Sequence, residues 1–222
     1  MSQRWADYRV FLGEFVRSFH STGAILPSGR WLARALARHV REGRGPRRIL
    51  EVGPGTGAVT RWIIDGLAAG DTLDLVELNE SFVRRLHERL QGDPLFRPAA
   101  DRTRILHCPI EDVDGEGTYD VIVSGLPFNN FDADVVARIL EVTLRLLRPG
   151  GTMSFFEYVG VRPMRSLISG RDERARLRGV GEAMAVARRG RAIGRNLVVP
   201  NVPPAWVHHL RSGSPAAAEG QT

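Results

Sequence analysis

Between Ile49 and Gly57 an apolar run, Ile49-Leu50-Glu51-Val52, passes straight into Gly53-Pro54-Gly55-Thr56-Gly57, and a helical pattern starts at about Ala58. Glycines at alternate positions allow a tight turn through positive φ and let a ligand touch main chain where a Cβ would block it. The helix start adds unpaired N–H groups. Glu51 precedes the turn, and Glu77 lies 20 residues beyond Gly57 at the end of a second apolar run, Thr72 to Glu77. An acid at that distance is placed to read ribose hydroxyls in nucleotide-binding α/β folds.

The rest of the chain repeats the same texture. A helix is expected over 80–91, a weak strand over 104–107, a strand over 119–124, a helix over 133–147 and a strand over 152–158, after a turn at Arg148-Pro149-Gly150-Gly151. A further helix is expected over 171–188, and two last strands joined by a proline turn over 196–211. Strands alternating with helices of this length imply βαβ units around a mostly parallel sheet covered on both faces. Ahead of the first strand, residues 4–20 place Trp5, Tyr8, Phe11, Leu12, Phe15, Val16 and Phe19 at three- and four-residue steps, an amphipathic helix. A second helix is expected over 30–42, closed by the breaker Gly43-Arg44-Gly45-Pro46. The expected organisation is an N-terminal lid or membrane-contact segment over 1–46, one α/β domain over 47–211 with a basic insert over 161–195, and a disordered tail over 212–222.

Charge narrows the partners. Net charge is +6, and all 31 basic residues are arginine. Ten arginines fall between Arg162 and Arg195 against Asp172, Glu173 and Glu182, a local excess of +7 that points to an anionic partner on one face. Arginine forks suit phosphate. The lone Cys108 has no partner for an internal disulfide, and no cysteine cluster suggests zinc. Charges interrupt every apolar stretch near the N-terminus, and no run reaches the ~20 residues of a membrane span, so a cytoplasmic, peripheral protein is expected.

The turn reads E-x-G-x-G-x-G rather than the G-x-G-x-x-G of dinucleotide folds, and so resembles the first motif of class I S-adenosylmethionine-dependent methyltransferases. That resemblance implies a Rossmann-like, seven-stranded, mostly parallel sheet, with S-adenosyl-L-methionine as cofactor and S-adenosyl-L-homocysteine as product. It places Glu51, Gly53, Gly55, Gly57, Leu78 and Ser124 around the cofactor, with Glu77 at the ribose. The acid expected near the adenine is displaced within Leu106-His107-Cys108-Pro109-Ile110-Glu111-Asp112. Glu111, Asp112 or the backbone N–H of Ile110 takes that role, and Cys108 is read as a small half-buried neighbour.

Ser124-Gly125-Leu126-Pro127-Phe128-Asn129-Asn130-Phe131 follows the fourth strand. It resembles the N-L-P-[YF] motif of rRNA adenine dimethyltransferases, but Gly125 stands in place of their asparagine. The chain is also similar, over most of its length, to bacterial phospholipid N-methyltransferases of the Sinorhizobium type and to ornithine lipid N-methyltransferases. The shared features are the aromatic N-terminal helix, Gly23-Ala24-Ile25-Leu26-Pro27-Ser28, the glycine turn, the Ser124–Phe131 loop and Asn201-Val202-Pro203-Pro204-Ala205. This implies methylation of a membrane lipid amine, on phosphatidylethanolamine or an ornithine lipid. The alternative is an rRNA adenine N6-methyltransferase that binds RNA through the arginine-rich segment.

For the lipid reaction, Asn129, Tyr158 and Glu157 are the candidate catalytic residues, as positioners or proton acceptors for the amine. Phe128 is expected to face the sulfonium, and Arg162 and Arg165 to grip a lipid phosphate. The aromatic N-terminal helix is either a lid or an interfacial anchor. The remaining arginines read as a solvated face that favours an anionic leaflet by roughly 1 kcal/mol per residue. Expected partners are thus a lipid substrate and an anionic surface rather than nucleic acid or metal, with a monomeric chain.

Overall fold

The computed structural model describes residues 29–43, 45–159, 170–201 and 203–213. The expected helix over 4–20, Arg162, Arg165 and the end of the tail lie outside the described residues. Two short helices come first, α1 (Arg30–Leu36) and α2 (Arg38–Arg41). They are followed by β1 (Arg48–Val52), α3 (Thr60–Ile64), β2 (Thr72–Val76), α4 (Glu80–Gly92) and β3 (Thr103–Leu106). Then come β4 (Tyr119–Ser124), α5 (Ala133–Leu146), β5 (Leu147–Tyr158), α6 (Arg171–Arg188), β6 (Ala192–Val198) and β7 (Ala205–Arg211). Short 3-10 turns sit at Arg97–Arg102, Ile110–Asp112 and Phe128–Asn130.

The strands form one seven-stranded sheet in the order β3-β2-β1-β4-β5-β7-β6. The first five run parallel, β7 pairs antiparallel with β5, and β6 pairs antiparallel with β7. The chain order reverses between β1 and β4, the switch point at which an open α/β sheet opens a crevice beyond its carboxyl ends. Buried strands on a two-sided sheet read as continuous apolar runs. Accordingly Leu50, Val52 and Ile122 pack with α5 and α6 on one face. Ile49, Leu73, Leu75, Val121 and Val123 pack with α1, α3 and α4 on the other. Leu32, Ala33, Leu36 and Val40 are fully buried there, so the helices before β1 are part of the core.

Four boundaries depart from the expectation. The helix over 30–42 breaks at Ala37 (ψ 5°), and the carbonyls of His39 and Val40 accept from the Arg47 guanidinium. The helix expected from about Ala58 starts at Thr60 and is five residues long. Its flanks are closed by i−3 hydrogen bonds, Trp62 to Val59 and Gly66 to Ile63, which tighten the chain into 3-10 turns. Residues 148–151 belong to β5 rather than to a free turn, because Gly150 and Gly151 exchange backbone hydrogen bonds with Ser212 beyond β7. The sixth strand begins at Ala192 instead of 196, with Arg211 N–H donating to the Arg191 carbonyl just before it.

Asp71 locks the ends of β1 and β2. Its carboxylate accepts from the Arg47 backbone N–H at 2.9 Å, the Arg47 Nη2 at 2.6 Å and the Ala68 N–H at 2.8 Å. Both side chains are buried, and removing one member of such a pair strands the other charge. Asp71→Asn is therefore expected to lower unfolding free energy by about 3 kcal/mol. The reading is a lower urea midpoint at unchanged slope.

Candidate active site

The glycine turn leaves β1 and meets the loop after β4 edge to edge. Gly125 N–H donates to the Val52 carbonyl at 2.9 Å, and a Cβ on Gly125 would stand 2.7 Å from the Gly53 carbonyl oxygen. On this backbone no side chain fits at 125, which accounts for glycine where the adenine dimethyltransferase motif has asparagine. Gly55, at φ +55°, differs: a Cβ there would meet nothing within 4 Å. Open space therefore lies over the middle of the turn.

Glu77 reaches across from the end of β2. One carboxylate oxygen accepts from Gly55 N–H at 3.0 Å and the other from Asn79 N–H at 2.8 Å. Burial raises its pKa against the pull of those N–H groups. Asn79 in turn caps α4, its side chain accepting from the amides of Ser81 and Phe82. Behind the turn, Arg89 of α4 donates to the Thr56 carbonyl at 2.7 Å and lies 3.8 Å over the Phe96 ring. Nothing in the local sequence marks Arg89, since its contact is made 33 residues away.

Glu51 is fully buried beneath the turn. Neither carboxylate oxygen has a hydrogen-bond partner. Burial pushes its pKa up to about 8; polar contact with Thr60 opposes this and the Glu77 charge adds to it. The group is thus held protonated at neutral pH.

On the β3 side, His107 Nε2 lies 3.1 Å from the Leu78 carbonyl. Ile110 is buried, and the Glu111 Oε2 is buried without a partner. Desolvation raises Glu111, with the Arg138 charge opposing. Burial first, then the Asp112 and Asp114 charges, raise the Cys108 thiol, so it stays protonated and packs against the core.

Beyond β4, the Ser124 hydroxyl accepts from Leu126 N–H at 3.4 Å, and a 3-10 turn carries Phe128 and Asn129. Phe128 packs on Phe155 with centroids 5.7 Å apart. Asn129 is 2% exposed, and its Oδ1 has no hydrogen-bond partner. Glu157 and Tyr158 are consecutive on β5 and so point to opposite faces. Glu157 shares a face with Phe155 and lies 3.6 Å from His208 Nε2 and 3.8 Å from Arg188. Tyr158 packs with the α1 cluster, edge-on to Phe156, and desolvation pushes its hydroxyl up to about 12. The structure therefore does not bring Glu157 and Tyr158 together.

The residues present fit S-adenosylmethionine in kind: open space over Gly55, a carboxylate beside it, and orphaned buried oxygens on Glu111 and Asn129. Comparison with known proteins agrees. Residues 49–151 match a family model described as a methyltransferase domain. The chain is 29% identical over 152 residues to an ornithine lipid N-methyltransferase of Singulisphaera acidiphila, spanning 67% of this chain and 76% of that one. A ribosomal RNA small subunit methyltransferase A of Parasynechococcus marenigrum is 38% identical over 82 residues, 37% of this chain but 26% of that one. In fold, a Burkholderia thailandensis 1,6-didemethyltoxoflavin-N1-methyltransferase, crystallised with S-adenosylhomocysteine, superposes with a TM-score of 0.62 at 18% identity, covering 96% of this chain and 92% of that one.

The raised Glu51 has a consequence for stability. The folded chain holds a proton that the unfolded chain releases near its ordinary value of 4.5, so stability falls as pH rises from about 4.5 to about 8 and then levels. Glu51→Gln is expected to flatten that slope in urea midpoints measured between pH 5 and 8. The seven-stranded sheet, the turn and the match of residues 49–151 to a methyltransferase-domain model together give the chain a Rossmann-like methyltransferase fold, with S-adenosylmethionine as the cofactor it is built to take.

Proposed function

We propose that this chain methylates the amine headgroup of a membrane lipid, an ornithine lipid or phosphatidylethanolamine, at the membrane surface. The observation that carries the reading is the likeness to an ornithine lipid N-methyltransferase across 67% of this chain and 76% of that relative. The ribosomal RNA enzyme is matched over a much smaller share of its length.

When bound, S-adenosylmethionine would supply a methyl group on a sulfonium, open to in-line attack by an amine nitrogen as the S–CH3 bond breaks and S-adenosylhomocysteine is left. In this reading Gly53, Gly55 and Gly57 line the cofactor with Glu51, Leu78 and Ser124, Glu77 holds the ribose, and Ile110 with Glu111 meets the adenine. Phe128 presents its ring to the positive charge. The protein's task on the acceptor side is to hold an uncharged amine nitrogen in line. A headgroup ammonium entering this apolar site loses hydration, which favours release of its proton. The unpartnered Asn129 Oδ1 is an acceptor for an amine N–H. Glu157, on the face shared with Phe155, is the carboxylate we assign to take the proton. Tyr158, protonated at neutral pH, bounds the opposite face.

The rim of the sheet supports a lipid-facing orientation. Val159, Leu197 and Val199 are exposed at the carboxyl ends of β5 and β6. Exposed Trp31 stands beside them in chain terms, since Gly29 N–H donates to Asn201 Oδ1 in the turn between β6 and β7. Arg30 lies over the Trp31 ring and Arg195 over Trp206. Aromatic and apolar side chains mixed with arginine suit a headgroup boundary. Arg162 and Arg165 keep their proposed role at the lipid phosphate. Among the described residues no helix is long and apolar enough to cross a membrane.

Labelled S-adenosylmethionine is expected to label vesicles containing ornithine lipid or phosphatidylethanolamine and to leave deproteinised ribosomal RNA unlabelled. Label in the RNA alone would overturn the lipid reading. Glu77→Ala is expected to weaken S-adenosylmethionine binding at least about tenfold by calorimetry, with circular dichroism unchanged.

A further inference from the structure

The basic helix α6 does more than present charge. Its Arg176 turns inward, onto the loop after β4. Nη1 donates to the Phe131 carbonyl at 2.6 Å and Nη2 to the Asn129 carbonyl at 3.3 Å. The other edge of the same guanidinium is gripped by Glu173, with Nε on one carboxylate oxygen and Nη2 on the other, each at 2.8 Å. Arg176 thus holds two main-chain carbonyls at the end of the 3-10 turn from a different element, 45 and 47 residues away in sequence.

The helix crossing aims the contact. A Cβ on Gly179 would stand 2.7 Å from the Ala133 Cβ, so α6 crosses the start of α5 at the closest approach that two small residues permit. Ala133 opens α5 one residue beyond the loop, and Arg176 lies one turn before Gly179 on α6. The apolar stripe of α6, Leu177, Val180, Met184 and Ala187, is buried, which fixes the rotation of the helix.

We infer that Arg176, held by Glu173, is a positioning residue that sets the loop bearing Phe128 and Asn129 and thereby the acceptor. The inference rests on the reading that this loop receives the acceptor. The contact depends on a planar fork that satisfies a carboxylate and two carbonyls together, which a lysine ammonium at the end of a flexible stem does not reproduce. A charge serving only an anionic membrane would be replaced by lysine without loss.

Arg176→Lys and Arg176→Gln separate these roles. Amide hydrogen exchange, read by NMR, is expected to rise at least about tenfold at Asn130 and Phe131, whose N–H groups close the 3-10 turn, while Ile122 of β4 stays protected. With ornithine lipid vesicles, kcat is expected to fall about tenfold for both variants, with vesicle partitioning and S-adenosylmethionine affinity within twofold of wild type. Wild-type exchange and turnover in Arg176→Lys would overturn the inference. If both variants misfold, Glu173→Gln is to shift the same readings by about threefold, and no shift there would likewise overturn it. If the wild-type enzyme labels no lipid, the exchange result still decides the clamp, and only the lipid reading falls.

Discussion

One buried carboxylate ties the cofactor edge of this sheet together. Glu77 directly follows β2, and its two oxygens accept from Gly55 in the turn after β1 and from Asn79 at the head of α4. The first bond sets the height of the glycine turn. The second places the residue whose own side chain starts α4, and α4 then carries Arg89 back to the Thr56 carbonyl of the same turn. Turn, strand end and helix thus form a closed loop of hydrogen bonds, each meeting a backbone group with a side chain from another part of the edge. The cost is an acid held away from water, seen in the upward shift of its pKa.

Much of this frame is legible in the sequence because it is local. Helix α6 runs from Arg171 to Arg188 and β4 from Tyr119 to Ser124, the bounds expected of them. The antiparallel pair at the end is announced by apolar runs around Pro203-Pro204, and β6 and β7 flank that turn. The contacts that sequence reading missed are made at long range by residues of ordinary appearance. Arg47 gives no sign that it binds the carbonyls of α2 and the carboxylate of Asp71 at once. Arg176 sits in a run of arginines that composition assigns to the surface, yet its partners are main-chain carbonyls of another loop. Arg188, from the same run, lies beside His208 and Glu157. Counting charge along a chain measures excess, not direction.

The candidate site is likewise half legible. The glycines and both acids around the turn follow from spacing, because strand, turn and helix are contiguous. The acceptor side is assembled from β4, β5 and α6, and adjacency in sequence there misleads: Glu157 and Tyr158 are neighbours in the chain but face different layers. Deep in the opposite layer a neutral polar chain runs from Ser154 through His209 to Asn196. Burial pushes His209 down to about 4, so its ring accepts on one side and donates on the other without carrying charge. It links β5, β7 and β6 across their antiparallel junction.

Among the described residues the sheet ends at β6, whose outer edge pairs with no further strand and whose Ile193 and Leu197 are exposed. A flat apolar edge of that kind templates further strands from other chains and seeds fibrils. Here the register slips between Ala192 and Gly194, so the edge is kinked. Arg189, Arg191 and Arg195 surround the kink and repel a like-charged incoming strand. Straightening the kink or neutralising those arginines would convert a tolerated border into a nucleus for self-association, with the methyl-transfer machinery untouched.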